Sequence, residues 1–326
     1  MGAFIGLLLH AIGGLAAGSF YIPFKLIKQW HWEISWLVLG IAAWVISPLL
    51  MAWHTVPQLE QVLMAADSGT RWYTFLFGML WGIGGLTFGL SMRYLGIGLG
   101  MAVALGFTAA FGTLIPPLYE GTFHTLIGHP GGRFVLVGIV ICLMGITIAG
   151  KAGVLKEGEL TSEEQQRTIK EFNLPKGIVI AIISGILSAC FAFGLAAGKP
   201  LAAEAIRMGT KDIFQNNPVI VWILWGGFLT NFIWTLVLGF KNKSFHNLTK
   251  TPAKGRTKNY ILAMAGGITW YFQFFFYGMG TTFLGEEYEF ASWTLHMAFI
   301  IIFSTVWGLY FREWQGTSKK QKEHWP

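Results

Sequence analysis

The chain has 326 residues, of which 54% are hydrophobic and only 12% charged, and its net charge is +7. Long stretches carry no charge at all, which excludes a water-soluble globule, because so few charged side chains cannot clothe a surface of that size. The basic excess alternates along the chain rather than forming one patch, and this needs neither nucleic acid nor an anionic ligand to explain it.

A helix needs about 17–25 apolar residues to cross about 30 Å of hydrocarbon. Nine such runs are predicted, at residues 3–24, 34–53, 73–92, 96–117, 134–150, 177–198, 219–240, 260–280 and 290–310, and none contains Asp, Glu, Lys or Arg. The connections after runs 1, 3, 5 and 7, with the tail after run 9, hold 18 of the 23 Lys and Arg residues. The positive-inside rule places those segments in the cytoplasm, so the N-terminus starts outside and the chain ends inside. A missed or invented crossing would scramble the alternation, so the charge pattern supports the count.

Run 1 reads as a retained helix rather than a signal peptide, because Met1-Gly2-Ala3 carries no positive charge and Lys25 and Lys28 follow the apolar stretch. It holds one ionisable group, His10, followed by small residues from Gly13 to Ser19 that allow another helix close approach. Tyr21 and Lys25 are placed as interface anchors. Run 2 contains Trp44 and Pro48, read as a kink or as nothing functional. Runs 3 and 4 are joined by only Ser91-Met92-Arg93-Tyr94-Leu95-Gly96, which predicts an antiparallel hairpin with Arg93 at its cytoplasmic end. The glycines of run 4 are no phosphate loop, since no strand precedes them and no Lys-Ser/Thr pair follows. Cys142 and Cys190 both fall within runs, so neither a disulfide framework nor a metal spacing is expected. No cofactor is expected beyond a coupling proton.

Thr161-Ser162-Glu163-Glu164-Gln165, in the main polar connection, has the pattern of a capping box opening a short surface helix. Run 6 then echoes run 1: Gly185-Ile186-Leu187-Ser188-Ala189-Cys190 sets against Gly13-Gly14-Leu15-Ala16-Ala17-Gly18, and Lys199 answers Lys25. Five crossings separate the two, and an odd number inverts the second copy relative to the first, the plan of many secondary transporters, with substrate bound near mid-membrane between the halves. Asn247-Leu248-Thr249 matches a glycosylation acceptor but lies in a cytoplasmic connection, so it carries no weight.

The last two runs flank the richest chemistry. Trp270-Tyr271-Phe272-Gln273-Phe274-Phe275-Phe276-Tyr277 leads to a turn with Glu286, Glu287 and Glu289, and then to Ser292-Trp293-Thr294-Leu295-His296-Met297. An amide, a carboxylate cluster, a histidine and aromatic rings within hydrocarbon-like sequence are how a membrane protein builds a site for a small polar molecule.

These runs, together with His10, Phe20-Tyr21-Ile22-Pro23-Phe24-Lys25, Trp81-Gly82-Ile83-Gly84, Gly89-Leu90-Ser91-Met92-Arg93-Tyr94-Leu95-Gly96 and Tyr288-Glu289-Phe290, resemble the bacterial L-rhamnose/proton symporters of the drug/metabolite transporter superfamily. The resemblance covers essentially the whole chain. It implies an all-α polytopic membrane bundle of ten helices in two inverted five-helix repeats, in the inner membrane of Gram-negative cells, taking up a neutral 6-deoxyhexose with a proton. On that plan residues 1–154 form the first repeat and 155–176 a cytoplasmic linker. Residues 177–310 supply four helices of the second repeat and 311–326 a basic cytoplasmic tail, with the last helix missing.

A neutral sugar offers hydroxyls to amides and C–H faces to aromatic rings. The substrate-binding candidates are therefore Gln273 and Asn231 for hydrogen bonds, and Trp270, Tyr271, Tyr277, Trp293 and Trp81 for stacking. The plainer alternatives are interhelical glue for the amides and interface belts for the rings. For proton coupling the leading candidate is Glu289, whose burial would raise its pKa toward neutrality, with His296 and His10 as relays or as neutral packing residues. Arg93, Lys25 and Lys199 are most simply anchors. One proton moved through 100 mV supplies about 2.3 kcal/mol, enough for about 50-fold accumulation of a neutral solute. No zinc-protease motif, nucleophile elbow or convergent carboxylate pair points to an enzyme. Competing expectations are a transporter of another sugar or metabolite of the same superfamily, and a truncated, non-transporting scaffold or sensor.

Overall fold

In hydrocarbon no water is at hand for backbone N–H and C=O groups, so an apolar chain satisfies them inside helices. The computed structural model is accordingly all-helical, without a strand among the described residues. It describes residues 2–119, 121, 123–158 and 173–311; some helical side chains, among them Arg93, Cys142 and Glu286 to Phe290, lie outside that description, as does the expected capping box at Thr161.

The elements in chain order are α1 (Gly2–Ser19), α2 (Tyr21–Lys25), α3 (Trp32–Ile41), a π-helical turn (Ala42–Ile46), α4 (Ser47–Thr55), α5 (Leu59–Ala65), α6 (Ser68–Tyr119), α7 (Phe123–Gly128), α8 (Pro130–Gly158), α9 (Leu174–Ala197), α10 (Lys199–Arg207), α11 (Asn217–Lys241), α12 (Asn247–Lys250) and α13 (Ala253–Tyr310). All nine expected runs fall on helix, the first with a break at Phe20. Among the described residues, six helical segments are long and apolar enough to cross a membrane, and two shorter apolar segments, Val103–Leu118 and Pro130–Gly145, accompany them. The chain is a multi-pass membrane helix bundle.

The two longest helices each double back. A straight helix would separate Met92 from Gly100 by about 12 Å, yet a Cβ placed on Gly100 would stand 2.8 Å from the Met92 Cα, so the chain reverses between them as the short link requires. Within α13 the reversal is at Gly285, whose φ of 68° lies in the region that favours glycine. Thr281 and Ser292, eleven residues apart, touch through their hydroxyls at 2.6 Å across it.

The chain divides into two compact units: residues 1–82 with 193–307, and residues 83–192 with 308–326. In the second unit the Ser184 hydroxyl on α9 donates to the Gly84 carbonyl on α6 at 2.9 Å, and Leu95, Ala104 and Ala181 form a small core with Phe88, Val103 and Ile178.

The first unit is organised by small residues. On α1, Gly6, Gly13, Gly14 and Ala17 are buried, and they seat that helix in the groove between the two arms of α13. Gly6 lies against Gly280 and Leu284, Gly13 against the Gln273 carbonyl and the His296 ring, and Gly18 against Phe303; a Cβ on Gly14 would overlap that of Phe299. Backbone-to-backbone approach of this kind supplies the packing that lipid cannot drive. α6 and α11 cross equally closely, with Gly78 against the Ile223 backbone and Gly226 against that of Phe75.

The π turn has a local cause. Pro48 lacks the N–H that would bond the Trp44 carbonyl, and its ring crowds that carbonyl. The helix widens just ahead of it, and the Ser47 N–H reaches back to the Ala42 carbonyl. Turns of this kind are frequent at functional sites, and here Trp44 is carried into the interior, 2% exposed.

Candidate functional site

Helical periodicity decides which residues of α13 meet α1. Gly266, Trp270, Gln273, Tyr277, Gly280 and Leu284 recur at three- and four-residue intervals and so share one face. Gly266, Gln273, Gly280 and Leu284 all lie against α1 or the Phe20 carbonyl that follows it. Trp270 sets its ring edge-on to Phe20 at 4.0 Å. Tyr271 sits about 100° round the helix from Trp270 and meets Phe272 and Phe275 instead.

On the groove face a polar cluster forms around His10. Its ring packs against Tyr277 at 5.2 Å and His296 at 5.9 Å, and Tyr277 in turn meets His296 at 5.0 Å and Trp293 at 5.8 Å. The Nε2 of His10 is 3.0 Å from the Ser292 hydroxyl, which contacts the Thr281 hydroxyl. His10, His296 and Gln273 are 0%, 2% and 4% exposed. At such depth polar atoms are ordinarily paired, yet His10 Nδ1, His296 Nδ1, Gln273 Nε2 and Trp270 Nε1 have no partner. Four unmatched polar atoms on one helical seam amount to capacity for hydrogen bonding that the fold itself leaves unused.

The sequence model of the L-rhamnose-proton symport protein (RhaT) family matches residues 2–323. The chain belongs to this family. It is a family of symporters, not of enzymes. Relatives named L-rhamnose-proton symporter, from Yersinia pestis (strain Pestoides F) and Cronobacter sakazakii (strain ATCC BAA-894), are 35% and 36% identical over 318 residues, which cover 97% of this chain and 91% of each relative.

Of the candidates named from sequence, this RhaT-family chain brings together His10, Gln273, Trp270, Tyr277, Trp293 and His296. It leaves Tyr271 on another face of α13. Asn231 and Trp81 belong to a neighbouring group on α3, α6 and α11. The Asn231 amide is consumed there: it donates to the Gly227 carbonyl at 2.9 Å and the Gly82 carbonyl at 3.3 Å, and accepts from the Trp36 indole at 3.0 Å. Trp81 meets Trp44 at 6.1 Å and Phe274 at 5.3 Å, so Phe274, itself 6.2 Å from Trp270, links the two groups. A crevice too narrow for water is lined by Trp36, Gly40, Trp44, Asn231 and Thr235, and the Trp44 indole N–H has no partner. The side chain of Glu289 lies outside the described residues.

Sequence reasoning assigned no role to Ser292, Thr281, Trp36 or Trp44. The signal for the first two was present: Ser292 is four residues from His296, and Thr281 four from Tyr277, which places each hydroxyl one turn from a named site residue. Nothing in the sequence reveals that the two hydroxyls would meet across Gly285.

Proposed function

We propose that the chain imports L-rhamnose together with a proton across the inner membrane, with the N-terminus outside and residue 311 inside. The observation that carries this reading, within a family of symporters, is the row of unpartnered buried polar atoms where α1 lies in the α13 hairpin. A structural helix seam gains nothing from leaving such groups unmatched, because each costs about 1–3 kcal/mol; a substrate-handling seam needs them free. Gln273 and the Trp270 indole supply hydrogen bonds to sugar hydroxyls, and Tyr277 and Trp293 supply aromatic faces. Trp81 and Asn231 hold the adjoining wall. The proton is handled by His10 and His296, with Glu289, which begins the second arm in the sequence, as the coupling carboxylate. The inverted-repeat plan, residues 1–154 against 177–310, is part of the same proposal, and the two helical hairpins at corresponding places in each half support it.

The test is uptake by vesicles containing the full chain. Addition of L-rhamnose is expected to alkalinise the external medium in step with sugar entry, and a panel of unlabelled sugars is expected to compete less well than L-rhamnose. Sugar entry without proton movement, or no entry by folded protein, counts against the proposal.

A further inference from the structure

We propose that Ser292 and Thr281 are positioning residues for proton coupling: they hold His10 in the tautomer with hydrogen on Nε2, and so leave Nδ1 as the basic atom that takes the proton. This rests on the proton-coupled reading above and adds to it a specific atom and the two side chains that select it.

The argument is one of counting hydrogens. A hydroxyl has one to give. Thr281 donates its own to the Tyr277 carbonyl at 3.0 Å, an acceptor with nothing to return. The 2.6 Å contact between Thr281 and Ser292 must therefore use the Ser292 hydrogen. Ser292, its hydrogen spent, can meet His10 Nε2 at 3.0 Å only as an acceptor. The Nε2 atom then carries the hydrogen, and the other nitrogen of a neutral imidazole is bare. That nitrogen, His10 Nδ1, is the buried one without a partner. The direction of the whole chain is set by a backbone carbonyl, which can only accept.

The consequence for coupling is specific. An arriving proton binds the Nδ1 lone pair and converts imidazole to imidazolium; its departure restores the neutral ring. Nε2 donates to Ser292 in both states, so neither step breaks the chain. With the opposite tautomer, take-up would occur at Nε2 and would have to displace the Ser292 bond. Among the described residues, the titratable groups facing His10 are Tyr277 and His296, both on α13. Among the described residues, Ser292 meets Thr281 and the His10 ring, so the two hydroxyls are the handle that acts on His10.

The test uses the full chain in lipid nanodiscs with 15N-labelled histidine, the His10 signals being assigned by their loss in His10→Gln. Wild type is expected to show neutral His10 with hydrogen on Nε2. In Thr281→Val, which keeps the side-chain shape, Ser292 loses its acceptor and is free to donate to His10, so a population with hydrogen on Nδ1 is expected to appear. Ser292→Ala is expected to give a mixture of tautomers, and Thr281→Ser to restore the wild-type spectrum. In vesicles the same variants are expected to move the pH of half-maximal proton-driven uptake by about half a unit or more, again restored by Thr281→Ser. Hydrogen on Nδ1 in the wild type, or a tautomer and pH profile indifferent to Thr281→Val and Ser292→Ala, would overturn the proposal. Absence of rhamnose counterflow in the wild type would instead count against the transport reading, while the spectra alone still decide the tautomer.

Discussion

Two polar regions of the first unit use the same kinds of side chain to opposite ends. In the groove of α13, buried histidines, an amide and an indole keep atoms unpaired. Where the connection after α2 meets the connection after α11, buried polar groups are matched almost atom for atom. The Glu33 carboxylate accepts from Asn242 at 2.9 Å and the Ser244 hydroxyl at 2.7 Å. Asn247 accepts from the His31 backbone and ring at 3.0 and 2.7 Å and donates to the Gln29 carbonyl at 3.2 Å. Asn259 donates to the Lys28 carbonyl at 2.7 Å, and the Trp30 indole donates to Thr251 at 3.1 Å. Gln29 and Lys243, with φ of 64° and 51°, carry backbone strain that this knot holds in place. A saturated network spends its bonding capacity on itself and fixes the chain; an unsaturated one keeps that capacity for something that arrives.

The contrast predicts opposite outcomes for similar substitutions. The largest effect is expected at the groove: His10→Ala and Gln273→Leu should each lower proton-driven rhamnose accumulation at least about tenfold; His10→Ala also empties a packed ring site, whereas in Gln273→Leu the thermal unfolding midpoint should be held or raised, since deleting an unpaired buried polar atom removes a penalty. A marked fall in the midpoint of Gln273→Leu would show that this amide is structural after all. Next comes Asn247→Leu, which strands the His31 donors and the Gln29 carbonyl at about 1–3 kcal/mol each; equilibrium unfolding should register this loss while the apparent affinity for rhamnose stays at its wild-type value. Glu33→Gln keeps the shape but replaces two charge-assisted bonds by neutral ones. That is worth about 1 kcal/mol per bond, measured the same way, and a double change with Ser244→Ala should be less than additive because the two share a bond. The smallest effect is expected for Trp30→Phe, which loses one hydrogen bond of about 0.5–1.5 kcal/mol and should leave transport untouched.

Much of this was legible in the residues. Run lengths and the alternation of basic connections marked the crossings, because hydrocarbon punishes unpaired backbone and charge whatever the neighbours are. Short links marked both hairpins. Within α13, period-3.6 spacing already placed Trp270, Gln273 and Tyr277 on one face and Tyr271 on another, although chemical type alone put Tyr271 among the candidates. Asn231 shows the limit of that reasoning. An intramembrane amide is the same letter whether it waits for a sugar or, as here, is spent on Gly82, Gly227 and Trp36. Asn247 shows it from the other side: the residue noticed only for an acceptor motif is the centre of the saturated knot.

The order of letters by itself determined that this chain is a membrane helix bundle with polar chemistry at His10 and in α13, because hydropathy, charge placement and helical period are local and additive along the chain. Which buried groups are paired and which are left open was decided only in three dimensions. Trp36 and Asn231 are 195 residues apart and His10 and Ser292 are 282 apart, and saturation depends on whether a second donor or acceptor happens to arrive within about 3 Å, a property that no stretch of sequence possesses alone.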